Sequence, residues 1–383
     1  MGLAIALQAC QPMLGWDLGW EPTGSRSPNE AIAPPEKLPV EVISLKLRPL
    51  ELSPDGSAPV TAPTPTQIPP MPAPLRPASG NQAANLQAAN LQYQVFELAT
   101  STVHLLRIPP QSPVKLTIAL ATDLAPVPDL ARTVPGAIAA INAGFFDPNN
   151  AHSMNFITQN GIKTGDPTQN QRLMQNAGIQ PYLTQVLNRS EFRRYRCEAD
   201  LASPALGKIA GDRYAITFHN ALIPAGCTLS DAVGGGPQLL PRLTATEEAF
   251  WAEAQGQVVR DAIGLKRPNA RSAIALTSQG EILLALVAQK PWPAPPAPSP
   301  LWPSRPTSAQ PPKPTPSGLS LPELAAFLRE QGAVQALNLD GGSSSALYYA
   351  PPNLAPQTLY GKRDEQGQVI QRSVKSVIVV SPQ

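Results

Sequence analysis

The chain has 383 residues, 47 of them proline, with 15% charged and 5% aromatic residues and a formal net charge of +2. So many prolines beside so few charges mean that part of the chain is linker, so the ordered portion is smaller than the length allows. The near-neutral balance and the scarcity of aromatic residues exclude a basic, stacking face of the kind nucleic acid needs.

Residues 1–33 open with MGLAIALQACQP, which is apolar up to Cys10 and lacks Lys and Arg. This reads as the later part of a secretory h-region, and LQAC is similar to a bacterial lipobox, in which Cys10 would carry a membrane-anchoring lipid. The expected location is the cell envelope or the exterior. No other stretch reaches the ~18 consecutive apolar residues that span a bilayer. Residues 34–91 are dominated by Pro, Ala, Thr and Gln and end in QAANLQAANLQ, so a disordered spacer is expected there.

Residues 92–383 read as one domain. YQVFEL, VHLLRI, KLTIALA, YAITF, SAIALT, EILLALV, QALNLD and SVIVVS are short β-rich runs separated by turn residues. Helices are expected at PDLARTV, at the Glu-rich TEEAFWAEAQ and at LSLPELAAFLREQG. In the last, Ser320 caps, Pro322 and Glu323 suit the first turn and Gly332 supplies the stop. Strands with occasional helices and no regular βαβ rhythm imply an α+β domain built on a mixed β-sheet. The segment 290–318, KPWPAPPAPSPLWPSRPTSAQPPKPTPSG, has too many prolines for a ladder or a helix interior, and reads as a surface insertion within the domain. With Cys10 set aside, Cys197 and Cys227 remain, either as a disulfide or as two structural thiols.

Chemistry gathers in four glycine-marked stretches. INAGFFD (141–147) presents Asn142 and Asp147 after an apolar strand; DAVGGGPQLL (231–240) places Gly234, Gly235 and Gly236 where their N–H groups could form an anion-binding nest. NARSAIALTSQGEILLALV (269–287) is a hairpin whose first strand begins at Arg271. LNLDGGSSS ends a strand at Asp340 and follows it with Gly341, Gly342, Ser343, Ser344 and Ser345. Each alone has an ordinary reading as a hairpin turn, a linker or a solvated edge residue.

Their order says more. NAGFFD, GGGPQLL, ARSAIALTSQGEILLALV, a G-x-S-L-x-E-L-A-x-F-L helix leading into ALNLDGGSSS, and RSVKSVIVV together resemble the phosphodiester glycosidase family, over roughly Gln92 to Ser381. Ser343 stands where the family commonly has a third glycine, and Ala275 where it often has another. The resemblance implies a hydrolase that splits a sugar from a 1-phosphodiester or a related envelope or exopolysaccharide glycan. The alternative is a carbohydrate-binding or structural envelope protein without turnover.

Phosphate leaves readily, so fixed positive charge and N–H donors matter more there than a strong acid. Arg271 and Gly234–Gly236 are expected to hold the phosphate, and Asp340 to stabilise the oxocarbenium, attack it or activate water. Asn142 and Asp147 would bind sugar hydroxyls, with Gly341, Gly342, Ser343 and Ser344 completing the polar wall; either Asp340 or Asp147 could be central. No cofactor is expected. Ca²⁺ on carboxylates and carbonyls around DGG is conceivable, but no calcium-loop spacing is present. His104, His152 and His219 lie far apart in sequence, and no G-x-S-x-G elbow accompanies them.

Overall fold

The computed structural model describes residues 90–198, 207–209, 211–291, 317–350 and 355–383. The expectations for Cys10, the h-region-like start and nearly all of the spacer fall outside the described residues, as does 292–316 of the Pro-rich segment.

Strands dominate, with a few short helices. One six-stranded sheet has the spatial order Gln92–Glu97, Ser101–Ile108, Ile282–Gln289, Arg271–Thr277, Ala333–Asn338 and Gln238–Leu240. A five-stranded sheet runs Gln357–Tyr360, Ala346–Tyr349, Ala139–Asn142, Val374–Pro382 and Val114–Ala125. Leu106, Ile108, Leu284 and Leu337 of the first face Leu116, Ile118, Ile141 and Ile378 of the second in one core. The outer face of the six-stranded sheet buries Val103, Leu105 and Ala285 with Leu321, Leu324, Phe327 and Leu328 of the helix Leu321–Glu330. The outer face of the five-stranded sheet packs Val377 and Val379 against Val127, Leu130 and Ala131 of the helix Val127–Arg132. Covering both faces of each sheet explains why SAIALT and SVIVVS are continuously apolar instead of alternating.

The helix Leu321–Glu330 starts as its sequence requires. Ser320 accepts from the Glu323 N–H while the Glu323 carboxylate accepts from the Ser320 N–H at 2.8 Å. A second six-stranded sheet, in the order Ile162–Gly165, Ile157–Gln159, Cys227–Gly234, Ser190–Cys197, Asp212–Phe218 and Gly207–Ile209, closes one side of the core with Ile157, Phe192, Tyr214 and Val233. Cys197 and Cys227 are directly opposed on neighbouring strands of that sheet and form a disulfide.

Two expectations need correction. Every pairing between strands in the described residues is antiparallel, so the sheets are not mixed in sense. The helix after Ile282–Gln289 returns the chain to the far side of Arg271–Thr277, which pairs antiparallel with both neighbours. TEEAFWAEAQ is a turn followed by the strand Trp251–Ala254, paired with Gln257–Asp261. Its Glu248 is drawn inside at 0% exposure, where it accepts from Ser190 N–H (2.9 Å), Ser190 Oγ (2.9 Å), Gln238 N–H (3.0 Å) and Thr244 Oγ1. That network, with Ala249 at φ +53°, outweighs helix propensity.

The two ends of the Pro-rich segment meet. Lys290 N–H donates to Ser317 Oγ at 2.8 Å, and Gln289 Nε2 to Ser317 O at 2.9 Å. A chain that leaves and returns at one point can be shortened at little loop-closure cost. Replacing 292–316 with a few Gly and Ser residues is expected to preserve cooperative thermal unfolding and to move the midpoint by less than about 4 °C. Loss of cooperativity would show that the segment packs.

Candidate active site

Asp340 stands where the chain leaves the six-stranded sheet after Asn338 and crosses to the five-stranded sheet at Ala346. Three main-chain bonds pin this crossing. Leu339 N–H donates to Ser272 O (2.9 Å), Asp340 N–H to Ala143 O (2.8 Å) and Gly342 N–H to Ala270 O (2.9 Å). Gly342 turns at φ +60°, a conformation that favours glycine. The turn is polar, with Asp340, Gly341 and Gly342 partly exposed and Ser343, Ser344 and Ser345 buried.

The half-buried Asp340 side chain accepts the Gly341 N–H at 3.0 Å and a hydrogen bond from Ser344. Burial pushes its carboxyl up to about 6, against Ser344, the charge of Arg372 and the Gly341 N–H, which all act to lower it. A carboxyl raised by burial on a sheet-crossing loop makes Asp340 a candidate for acid–base or electrostatic work.

Arg372 was not singled out by the sequence. Its Nη1 donates to Ser343 Oγ at 2.9 Å, and its guanidinium lies 5.4 Å from the Phe146 ring centre. It sits just before the strand Val374–Pro382, in the RSVKSVIVV stretch. A second cation, Lys362, donates from Nζ to Asn269 Oδ1 at 3.1 Å. Asn269 Nδ2 in turn lies 3.7 Å from the position a Cβ would take on Gly342.

The four glycine-marked stretches do meet, but several of their side chains do other work than expected. Asn142 has 0% exposure and does not reach a sugar. Its Nδ2 donates to Asp340 O (2.6 Å), while its Oδ1 accepts from Ser272 Oγ (2.7 Å) and Ala346 N–H (3.0 Å), so it staples the crossing loop in place. Asp147 is 3% exposed; it accepts from Asn149 N–H (2.9 Å), Asn149 Nδ2 (3.1 Å) and Arg172 Nε (2.9 Å), which organise its own turn.

Arg271 is 2% exposed and donates to four main-chain carbonyls: Leu319 (3.2 Å), Ile263 (2.9 Å), Gly264 (2.7 Å) and Arg267 (2.9 Å). Its guanidinium clamps the 263–267 loop and is not turned to a phosphate. Burial pushes it down to about 10, with the Asp261 charge acting upward.

The glycine run forms no anion nest either. The N–H groups of Gly234, Gly235 and Gly236 are bound to Phe156 O (3.1 Å), Ser190 O (2.9 Å) and Asn338 O (2.8 Å). The glycines are needed for packing. A Cβ on Gly234 would lie 2.6 Å from Asn155 Cβ, one on Gly235 would lie 2.7 Å from Asn338 O, and one on Gly236, at φ +115°, would strike the Glu248 carboxylate.

The histidines stand apart from Asp340. His152 is exposed, His104 shares a 2.7 Å hydrogen bond with Tyr93 OH, and His219 Nδ1 lies 2.5 Å from Glu191 Oε1. Among the described residues no group of three or more His, Cys, Asp or Glu side chains could hold a metal ion. No helix there is long and apolar enough to cross a membrane.

Residues 135–381 match the family model described as phosphodiester glycosidase. No curated protein matches the chain. Among solved structures, it is similar to a hypothetical protein from Synechocystis (19% identity, TM-score 0.45), covering 76% of this chain and 62% of that one, so it spans under two thirds of that relative. It is similar to the catalytic domain of zebrafish N-acetylglucosamine-1-phosphodiester alpha-N-acetylglucosaminidase, auto-inhibited by its pro-peptide (15%, TM-score 0.49, 77% and 83% covered). A putative exported protein from Burkholderia pseudomallei is also similar (15%, TM-score 0.42, 78% and 76% covered).

Proposed function

The chain belongs to the phosphodiester glycosidase family, and on that premise we propose that it hydrolyses the bond between C1 of a sugar and a phosphodiester oxygen in an envelope or exopolysaccharide glycan. The observation that carries this reading is the Asp340 carboxyl, raised by burial on a sheet-crossing turn to which Arg372 is anchored through Ser343.

Cleavage develops positive charge at C1 and negative charge on the departing phosphate. The ionised Asp340 faces C1, and Arg372 faces the phosphate oxygens. Water adds its hydroxyl to C1, the C1–O bond breaks with the bonding pair leaving on the phosphate monoester, and the water's remaining proton passes to the Asp340 carboxylate and on to the released phosphate or solvent. The phosphate monoester's second pKa is near ~6, so departure near neutral pH needs no strong acid. Asn142 and the Gly341 N–H hold the Asp340 main chain and carboxylate in register, which keeps the charge fixed as the transition state forms. No step in this scheme requires a cofactor.

The test is release of free sugar from hexose and N-acetylhexosamine 1-phosphodiesters between about pH 4.5 and 8. Because the active form of Asp340 is the carboxylate, kcat/KM should climb as pH passes upward through about 6. A rate that falls across that range would overturn the role given to Asp340. Glycan binding with no sugar released would leave a binding protein instead.

A further inference from the structure

A cavity of about 320 Å³ opens between the strands Ser101–Ile108 and Ile282–Gln289 on one side and the edge strand Gln357–Tyr360 on the other. It is lined by Thr102, His104, Gln289, Lys290, Thr358 and Arg363, side chains that can bond sugar hydroxyls. Apart from Arg363, its polar groups carry little net charge. Lys290 pairs with Glu97 at 3.1 Å, and burial pushes His104 down to about 4, so it is neutral near pH 7 although the Glu97 charge acts upward.

The segment 360–363 joins this cavity to the Asp340 turn. Tyr360 and Arg363 line the cavity, Gly361 N–H donates to Ser345 O at 2.8 Å, and Lys362 reaches Asn269 beside Gly342. Neither Lys362 nor Arg363 has a carboxylate partner among the described residues. Arg363 donates to Gln289 O (3.1 Å) and Gly367 O (2.7 Å). Unpaired positive charge therefore runs from Lys362, beside the Asp340 turn, to Arg363 at the cavity wall, and the rest of the lining is nearly neutral. A ligand matching that order has an anionic linkage first and a sugar beyond it.

We propose that this cavity is the subsite for the next glycan unit beyond the scissile phosphate, and that Lys362 and Arg363 hold the anionic linkage leading into it. The substrate is then a chain of phosphate-linked sugars, not a small capped ester. This rests on the reading of Asp340 given above.

The experiment compares kcat/KM for the methyl ester of a hexose 1-phosphate with that for oligomers of the same hexose joined through 1-phosphodiester bonds. Wild-type protein should prefer the oligomer by about 10-fold or more, and Ala288→Trp, which fills the cavity wall, should bring the ratio close to one. Arg363→Gln is a second variant in case the first misfolds, and should lower the same ratio. Equal rates on both substrates, or a ratio unmoved in both folded variants, would overturn the subsite while leaving the glycosidase reading intact. If neither substrate is cleaved, the glycosidase reading fails. Calorimetry with the oligomer then decides the subsite: binding lost in Ala288→Trp supports it, and no binding to wild-type protein rejects it.

Discussion

Asp340→Asn is expected to lower turnover by at least about 100-fold and to leave the protein folded, more stable at neutral pH than the parent. Asparagine keeps the size of the side chain, and its oxygen can still accept the Gly341 N–H. It removes the negative charge that the developing oxocarbenium requires.

The stability gain follows from the direction of the pKa shift. An unfolded aspartate titrates at 3.8, whereas the folded group is pushed up to about 6. Below the lower value both states hold the proton and the shift has no effect. Between the two, the folded protein binds the proton more tightly, so stability falls as pH rises, and the full penalty is present above about 6. Asparagine never carries that penalty, so the variant should gain up to about 3 kcal/mol near pH 7 and almost nothing near pH 4. Melting curves at several pH values, with initial rates on a sugar 1-phosphodiester, measure both effects. If Asp340 only shaped the turn, the variant would turn over almost as fast as the parent.

Two arginines should respond in opposite ways. Arg372→Gln removes the cation beside Asp340, and its kcat/KM should fall by about 10- to 100-fold with the melting temperature nearly unchanged. The defect should be larger for phosphodiesters than for neutral glycosides. Arg271→Lys leaves buried carbonyls among Ile263, Gly264, Arg267 and Leu319 without a donor, because an ammonium cannot reproduce the planar fork. It should destabilise the fold by about 2–4 kcal/mol, with the activity per folded molecule largely kept. A selective loss of phosphodiester activity in stable Arg271→Lys protein would restore Arg271 to the phosphate site.

The sequence is most legible where local chemistry and tertiary position agree. Ser320, Pro322, Glu323 and Gly332 mark the helix Leu321–Glu330 because caps act within one turn. SAIALT and SVIVVS mark strands because both faces of their sheets are covered. SEFRRYRC, the strand Ser190–Cys197, gives no such signal, yet it lies inside its sheet. Its charges are buried because partners neutralise them: Arg194 meets Asp212 at 2.9 Å and Asp231, both distant in sequence, while Glu191 meets Arg193 of its own strand at 2.8 Å.

The candidate site divides along the same line. Asp340, Ser343 and Ser344 stand on the turn that the motif names. Whether Arg271, Arg372 or Lys362 supplies charge depends on which carbonyls each finds in space, and strand-start arginines look alike in one dimension.

The glycines 234–236 bear on how a mutational scan of this protein would read. In a saturation library scored by activity, almost every substitution at these three positions should be lost, as at Asp340, because there is no room for a Cβ. The profile would suggest a contiguous catalytic motif in GGG. Scoring soluble abundance in parallel should separate the two classes. Variants at 234–236 should vanish from the soluble pool, whereas Asp340→Asn should accumulate there as inert protein.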